Sequence, residues 1–334
     1  MNRILLVALV ASTVALAACG EKQDPAGVPG KERITLMLDF LPNADHAGIY
    51  EAVRSGEFEK AGLDVQIQVP GDPSSPLKLL QAGKTDLAIS YEPEVFLARD
   101  KGAQITSIGA LVSEPLTSII AIGKDTKLDS AADLEGHTVG TAGIPYQSAY
   151  LKTILEEAGA DPARGKEVNV GFGLVPAMLS KKVYATLGGF WNYEGVQLQR
   201  KKRDPKIIRV DQAGVPTYDE LVIVARTAEV RDRAATLRRF LQALARAHAA
   251  VRDDPAAGAD ALIAENPDLD PGLQREAVAK TVPAFFPSES DRPWGWQNTR
   301  QWEAYGKWME DNDLLTQPPS ASALSNDLLP GEGF

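Results

Sequence analysis

The run Leu38-Asp39-Phe40-Leu41-Pro42-Asn43-Ala44-Asp45-His46-Ala47-Gly48-Ile49-Tyr50 decides how the rest of the chain is read. Just before it, residues 34–38 form a short apolar run that predicts a buried strand. Residues 47–55 predict a helix that Gly56 ends. An acid, an aromatic ring, a proline, an amide and an imidazole therefore gather where a strand hands over to a helix. In open α/β sheets, ligands bind outside the carboxyl ends of strands, near helix N-termini. Asp39, Phe40, Asn43 and His46 are thus candidate ligand contacts. Tyr50, one helical turn beyond His46 on the same face, joins them. Asn43 or Asp45 also suits a plain helix cap, but one cap serves one helix and the cluster holds more polar groups than that.

The same strand-then-helix grammar recurs along the chain, the pattern of βαβ units. Residues 63–69 alternate with period two, a half-buried strand, and a short helix follows over 75–82. Residues 85–90 predict the next strand, which leads into a second polar corner of Ser90, Tyr91 and Glu92 with Pro93 at a first helical position. Two apolar strand pieces fill 105–122. A third corner carries Thr141, Gly143 and Tyr146 between a strand at 137–140 and a helix running to Ala158. Backbone N–H groups left open by its small residues suit oxygen-rich or anionic groups. A fourth corner follows Gly188-Gly189, where Phe190 and Trp191 precede Asn192, Tyr193 and Glu194. Phe190 and Trp191 also read as plain core, although a Trp beside Asn and Glu after a Gly-Gly turn suits a site better. Trp191, Asn192 and Glu194 are the candidates here. Residues 229–252 predict one long amphipathic helix with Leu237, Phe240, Leu241, Leu244 and His248 on its apolar face, His248 as a packed residue. Residues 295–312 predict a last helix. From Thr316 on, the Pro-, Ser- and Gly-rich tail predicts a loosely held end.

The N-terminus has its own signature. Arg3 precedes an apolar run over 4–18, shorter than the ~20 residues a bilayer span needs. Its end, Leu16-Ala17-Ala18-Cys19-Gly20, resembles the bacterial lipobox, which implies cleavage before Cys19 and a lipid on its sulfur. Cys19 is the single cysteine, so no internal disulfide can form. Residues 20–31 read as a flexible leash.

Composition narrows the function classes. The chain has 334 residues, with 35 Lys and Arg against 45 Asp and Glu, a formal charge of −10. That balance argues against a nucleic-acid binder. The three histidines, His46, His137 and His248, are far apart and lack metal-ligand spacing. The sequence holds no nucleophile elbow, no phosphate loop and no dinucleotide fingerprint. No metal, cofactor or enzymatic activity is expected on these grounds.

The four corners, Gly83-Lys84-Thr85-Asp86-Leu87-Ala88 and the lipobox together resemble the solute-binding proteins of bacterial ABC importers. Within them the chain resembles the branch that binds thiamine pyrimidine precursors, a branch that is itself related to the sulfonate, nitrate and taurine receptors and to the yeast-type pyrimidine synthases. The resemblance implies an α/β type II periplasmic-binding fold, with two lobes, a hinge and an interlobe cleft. It implies a signal peptide at 1–18, a lipidated tether at 19–32, one lobe from 33–122 and 219–315, a second from 123–218, and a loose tail at 316–334. It also implies a monomeric receptor, anchored by lipid on the extracytoplasmic face, that hands a small heteroaromatic ligand to permease and ATPase subunits. Many relatives carry Asp where this chain has Tyr184, and the synthase branch carries a cysteine-rich segment that this body lacks. A flat aminopyrimidine suits stacking on Trp191, Tyr91 or Phe40. Its amine and ring nitrogen suit a carboxylate, with Glu194, Asp39 and Glu92 as candidates. Riboflavin or another flat heterocycle, a sulfonate or nitrate-like anion, and a pyrimidine-forming enzyme are the alternatives.

Overall fold

A computed structural model describes residues 30–288 and 291–331. The apolar leader, Cys19 and most of the tether lie outside the described residues. Ten strands are found among the described residues: β1 (Glu32–Met37), β2 (Leu63–Gln68), β3 (Leu87–Ser90), β4 (Ile105–Val112), β5 (Thr117–Ile122), β6 (Thr138–Thr141), β7 (Lys166–Asn169), β8 (Ala185–Phe190), β9 (Pro205–Arg209) and β10 (Leu221–Arg226). They form two five-stranded sheets, ordered β2-β1-β3-β10-β4 and β7-β6-β8-β5-β9. In the first sheet β1 runs parallel to β2 and β3, and in the second β6 runs parallel to β7 and β8. Helices such as Ala47–Arg54 and Pro145–Glu157 make the crossovers that parallel neighbours require.

Each sheet borrows one antiparallel strand from across the hinge. β5 leaves the first lobe directly after β4 and pairs with β8 and β9 of the second sheet. β10 leaves the second lobe after β9 and pairs with β3 and β4 of the first. The chain therefore crosses between the sheets twice, at 113–116 and 210–220. The lobe boundary expected after residue 122 moves back accordingly. Residues 117–122 belong to the second sheet, because the Ser113-Glu114-Pro115 interruption is the crossover itself.

Three further expectations change. The helix predicted over 229–252 is two helices, Thr227–Asp232 and Ala234–Asp253, broken at Arg233. There the Arg233 guanidinium is anchored to Asp86 at 2.8 Å and to Glu32 at 3.2 Å, joining β1 to the β3 entry. The last helix is Thr299–Asp311 and starts later than predicted, because Gly295 takes a left-handed φ of 87° and Asn298 caps the first turn. The described part of the tail, to residue 331, is not loose. Ser325 N–H donates to Ser107 O, and Leu328 and Leu329 are buried. The outer side of β4 is a sheet edge, and the apolar residues of the tail cover it.

Candidate ligand-binding cleft

All lining residues of the cleft between the sheets lie in the carboxyl-terminal halves of parallel strands or just beyond them. Asp39, Phe40 and Asn43 follow β1, and Tyr91 follows β3. Across from them stand Ala142, Ile144 and Gln147 after β6, Leu174 after β7, and Gly188, Phe190, Tyr193 and Glu194 at the end of β8. With the lobes touching, the cleft holds only about 20 Å³ of free space, room for about one water. The lobes touch along it. Phe40 meets the Phe172 ring edge-on with centroids 4.7 Å apart, Tyr91 lies 5.2 Å from Tyr146, and Tyr146 N–H donates to Glu94 Oε1 at 2.9 Å.

The first corner is wired internally. Asn43 caps the following turn, its Oδ1 accepting from Asp45 N–H at 2.8 Å. Asn43 N–H also donates to His46 Nδ1 at 3.2 Å. With Nδ1 accepting, the proton sits on Nε2, which donates to Asp39 Oδ1 at 2.8 Å. Tyr91 OH donates to Asp39 Oδ2 at 2.7 Å. Asp39 thus accepts from two side-chain donors, His46 and Tyr91, and no Lys or Arg lines the cleft beside it. Burial, and then the Asp39 charge, push the Tyr91 phenol well above its ordinary range, so it stays a donor.

Glu194 is the second carboxylate. Its Oε2 accepts from Phe190 N–H at 2.7 Å. Burial raises it to about 7, against the lowering effect of backbone N–H donors. Beside it, Gln147 Oε1 accepts from Ala142 N–H at 2.8 Å. Its amide end sits where a side chain on Gly188 would go, because a Cβ there would lie 2.2 Å from Gln147 Nε2. Gly188 also has φ +107°, a second reason for glycine at that position.

Of the residues expected from the sequence, Asp39, Phe40, Asn43, Tyr91 and Glu194 meet in the cleft. The others stand elsewhere. His46 is buried behind Asp39 as its donor. Tyr50 packs with Ala261 and Leu262, since the face it shares with His46 turns toward the helices rather than the cleft. Ser90 is a buried strand residue paired with Val222 of β10. Glu92 is fully buried, points toward the hinge and accepts from Asp219 N–H at 2.7 Å. Thr141 donates to Glu167 at 2.9 Å, and Gly143 packs against the Asn169 amide. Tyr146 is buried with its OH 3.1 Å from Thr117 Oγ1. Trp191 turns back to the hinge, where its Nε1 donates to Pro115 O at 3.2 Å and Arg209 covers its ring at 5.2 Å. Asn192 reaches across the lobes to Asp45.

Gln147, Tyr193, Phe190, Gly188, Ile144, Ala142 and Leu174 line the cleft without having been singled out as contacts. Tyr193 and Phe190 lie within the fourth corner, where only Trp191, Asn192 and Glu194 were chosen. Gln147 lies in the first turn of the helix after Pro145, a position the corner rule covers. The apolar trio carries no sequence signal. No Lys or Arg is among the lining residues, and among the described residues no group of three His, Cys, Asp or Glu is placed to hold a metal ion.

Residues 43–258 match the family described as NMT1/THI5 like. A formylaminopyrimidine-binding protein of Halalkalibacterium halodurans is 31% identical over 95% of this chain and 96% of its own. A 4-amino-5-hydroxymethyl-2-methylpyrimidine phosphate synthase of Legionella pneumophila is 28% identical over 79% of this chain and 84% of its own. Among solved structures, the alkanesulfonate-binding protein SsuA of Xanthomonas axonopodis pv. citri, bound to MOPS, superposes with a TM-score of 0.68. It is 15% identical, and the match covers 90% of this chain and 99% of that one. The likeness to it is one of fold, the two-lobed binding-protein architecture.

Proposed function

The chain belongs to the NMT1/THI5-like family, and from that premise we propose that it is the solute-binding receptor of an ABC importer for a thiamine pyrimidine precursor, of the formylaminopyrimidine or hydroxymethylpyrimidine type. The observation that carries this reading is the pair of carboxylates, Asp39 and Glu194, facing one aromatic-walled cleft from opposite lobes with no basic side chain in its lining. An aminopyrimidine presents an N–H donor beside a weakly basic ring nitrogen. Asp39 or Glu194 accepts from the amine. Glu194, at about 7, can give a proton to the ring nitrogen or accept one back from it in a charge-assisted bond. Phe40, Tyr91, Phe190 and Tyr193 supply flat or edge contacts, each worth roughly 1 kcal/mol beyond area burial. Gln147 and Asn43 cover the remaining polar edge.

A sulfonate would bring negative charge against both carboxylates, so the anion alternative loses support. A receptor is favoured over a synthase because the body contains no cysteine and both His46 ring nitrogens are already engaged. Ligand capture closes the lobes about the crossovers at 113–116 and 210–220. A lipid on Cys19 holds the monomer on the extracytoplasmic face of the membrane, beside permease and ATPase subunits.

Thermal unfolding of the protein lacking residues 1–19, with formylaminopyrimidine, hydroxymethylpyrimidine, thiamine, riboflavin or taurine, tests the reading. A bound ligand at a hundredfold excess over Kd adds about 2.7 kcal/mol, a shift of several degrees. The pyrimidines should give it. Stabilisation by taurine alone would overturn the proposal.

A further inference from the structure

Asp45 and Asn192 meet across the lobes in a buried contact that lies behind the cleft wall. Asn192 Nδ2 donates to Asp45 Oδ1 at 2.7 Å and to Thr281 Oγ1 at 2.6 Å. Thr281 Oγ1 in turn donates to Ala277 O at 2.8 Å, so it must accept from the amide. That fixes the amide orientation: a flipped Asn192 would set its oxygen against two acceptors. Both hydrogens of the amide are then used. Two buried oxygens remain without a partner, Asp45 Oδ2 and Asn192 Oδ1, and they belong to the two side chains already joined. An ionised Asp45 leaves both orphaned, two buried acceptors that have given up water and gained no donor. A proton on Asp45 Oδ2 would give that oxygen something to donate, and Asn192 Oδ1, on the side chain Asp45 already touches, is the orphaned acceptor that needs it.

We propose that Asp45 is a positioning residue for ligand capture: in the closed form it carries a proton and grips Asn192 in a two-point carboxyl–amide contact, so that lobe closure takes up one proton. The inference rests on the reading that the lobes close on a ligand. In the open form Asp45 meets water and releases the proton to solvent, and closing recovers it.

The surroundings agree. Burial, and then the charges of Asp39, Glu194 and Glu220, push the Asp45 carboxyl well above its ordinary range. Tyr193 faces it as a neutral phenol. His46, next in sequence, is committed to Asp39. The helix Pro271–Thr281, packed on this segment, carries Arg275, Glu276 and Lys280, which engage Asp260, Arg200 and Gln199 at the surface. Glu265 of the helix Pro255–Glu265 is exposed, and Glu51 and Arg54 of Ala47–Arg54 pair with each other. None of these supplies Asp45 with a cation.

The sign follows from linkage. The closed form binds the proton more tightly than the open form, so ligand affinity is highest at low pH. It falls by up to tenfold per pH unit as pH rises above the ordinary aspartate value, until the closed-form carboxyl itself ionises. Glu194 and the pyrimidine also titrate, so the test is a difference between proteins. Calorimetric titration of formylaminopyrimidine at about pH 7, in buffers of unlike ionisation enthalpy, counts the protons taken up. The unsubstituted protein should take up about one more than Asp45→Asn, whose amide makes the same two-point contact without a proton. Asp45→Asn should also lose less affinity than the unsubstituted protein toward alkaline pH, while Asp45→Ala binds weakly throughout. Equal proton counts would overturn the proposal. If the pyrimidine gives no heat with any of the proteins, the functional reading fails, and Asp45 is judged on the protein chemically cross-linked with its lobes closed. An infrared band of a protonated carboxyl that Asp45→Asn removes supports the assignment, and its absence from the unsubstituted protein overturns it.

Discussion

Glu220 Oε2 accepts the backbone N–H of Leu116 at 2.6 Å, so a carboxylate on the returning crossover holds the outgoing one. The same oxygen accepts from Thr117 N–H at 2.7 Å and Tyr218 OH at 3.0 Å, and Oε1 accepts from Thr117 Oγ1 at 2.8 Å. All of this is buried, and it lies where the two sheets exchange strands.

Glu220→Ala should therefore cost about 3 kcal/mol or more, because it strands two buried N–H groups. Glu220→Gln keeps one acceptor oxygen for those N–H groups and should cost about 1 kcal/mol. Urea unfolding of the three proteins reads both values. Equal losses would show that the carboxylate is filler rather than a tie between the crossovers.

Stability should fall as pH rises from about 4.5 to 7. Burial raises Glu94, Glu194 and Glu220 from 4.5 to about 7 each. The folded state holds these three protons more tightly than the unfolded chain, and their contribution is lost across that window. Each loss is worth up to about 3 kcal/mol. His248 opposes them. Burial lowers it from 6.5 to about 4, so its contribution grows as pH rises through the same range. Asp45 and Glu92, also raised by burial, act in the same direction, so the carboxyls outweigh the one histidine and leave a net decline, and Glu220→Gln should make the slope shallower. Melting temperatures across this window check the sign, and a rise toward neutral pH would contradict it.

These buried acids mark the limit of what the residue pattern could reveal. The corner rule found Asp39, Asn43, Tyr91 and Glu194, because strand-end position is a local property that period and turn residues encode. Facing is not local. Trp191 and Glu194 share one corner, yet three residues of chain turn the indole to the hinge and the carboxylate to the cleft. Gln147 reaches the site only because Gly188, far away in sequence, leaves room for it. The strand exchange was half legible: the Pro115 break was visible, but the sheet that β5 joins depends on partners about seventy residues onward. The tail misled because its Pro and Ser content outweighed Leu328 and Leu329, whose burial comes only from packing on the first lobe.

That distinction between corner and facing gives a binding prediction. Tyr193→Ala and Glu194→Gln should each weaken pyrimidine binding, about tenfold or more, since both side chains line the cleft. Trp191→Ala should change affinity little and instead lower stability, by losing the hinge bond to Pro115 and the Arg209 contact. Calorimetric titration beside urea unfolding separates the two effects. Loss of affinity in Trp191→Ala at unchanged stability would restore the indole to the cleft wall.

Gly48 gives the last prediction. A Cβ there would stand 2.2 to 2.5 Å from three ring atoms of His248. The ring has nowhere to go. Its Nδ1 donates to Leu244 O at 2.9 Å, Trp294 stacks on it at 4.5 Å, and Phe285 meets it edge-on at 5.1 Å. Alanine is the better helix former by about 0.5–1 kcal/mol, which offsets part of the clash. Overpacking of this kind costs about 1–3 kcal/mol, so Gly48→Ala should still destabilise. His248→Ala alone opens a cavity and also destabilises, although it removes a buried Nε2 that has no partner. Together the two changes should cost less than their sum, because the new methyl enters space the ring has left. A urea double-mutant cycle measures this coupling, and strict additivity would mean that the helix Ala47–Arg54 and the imidazole are not in contact.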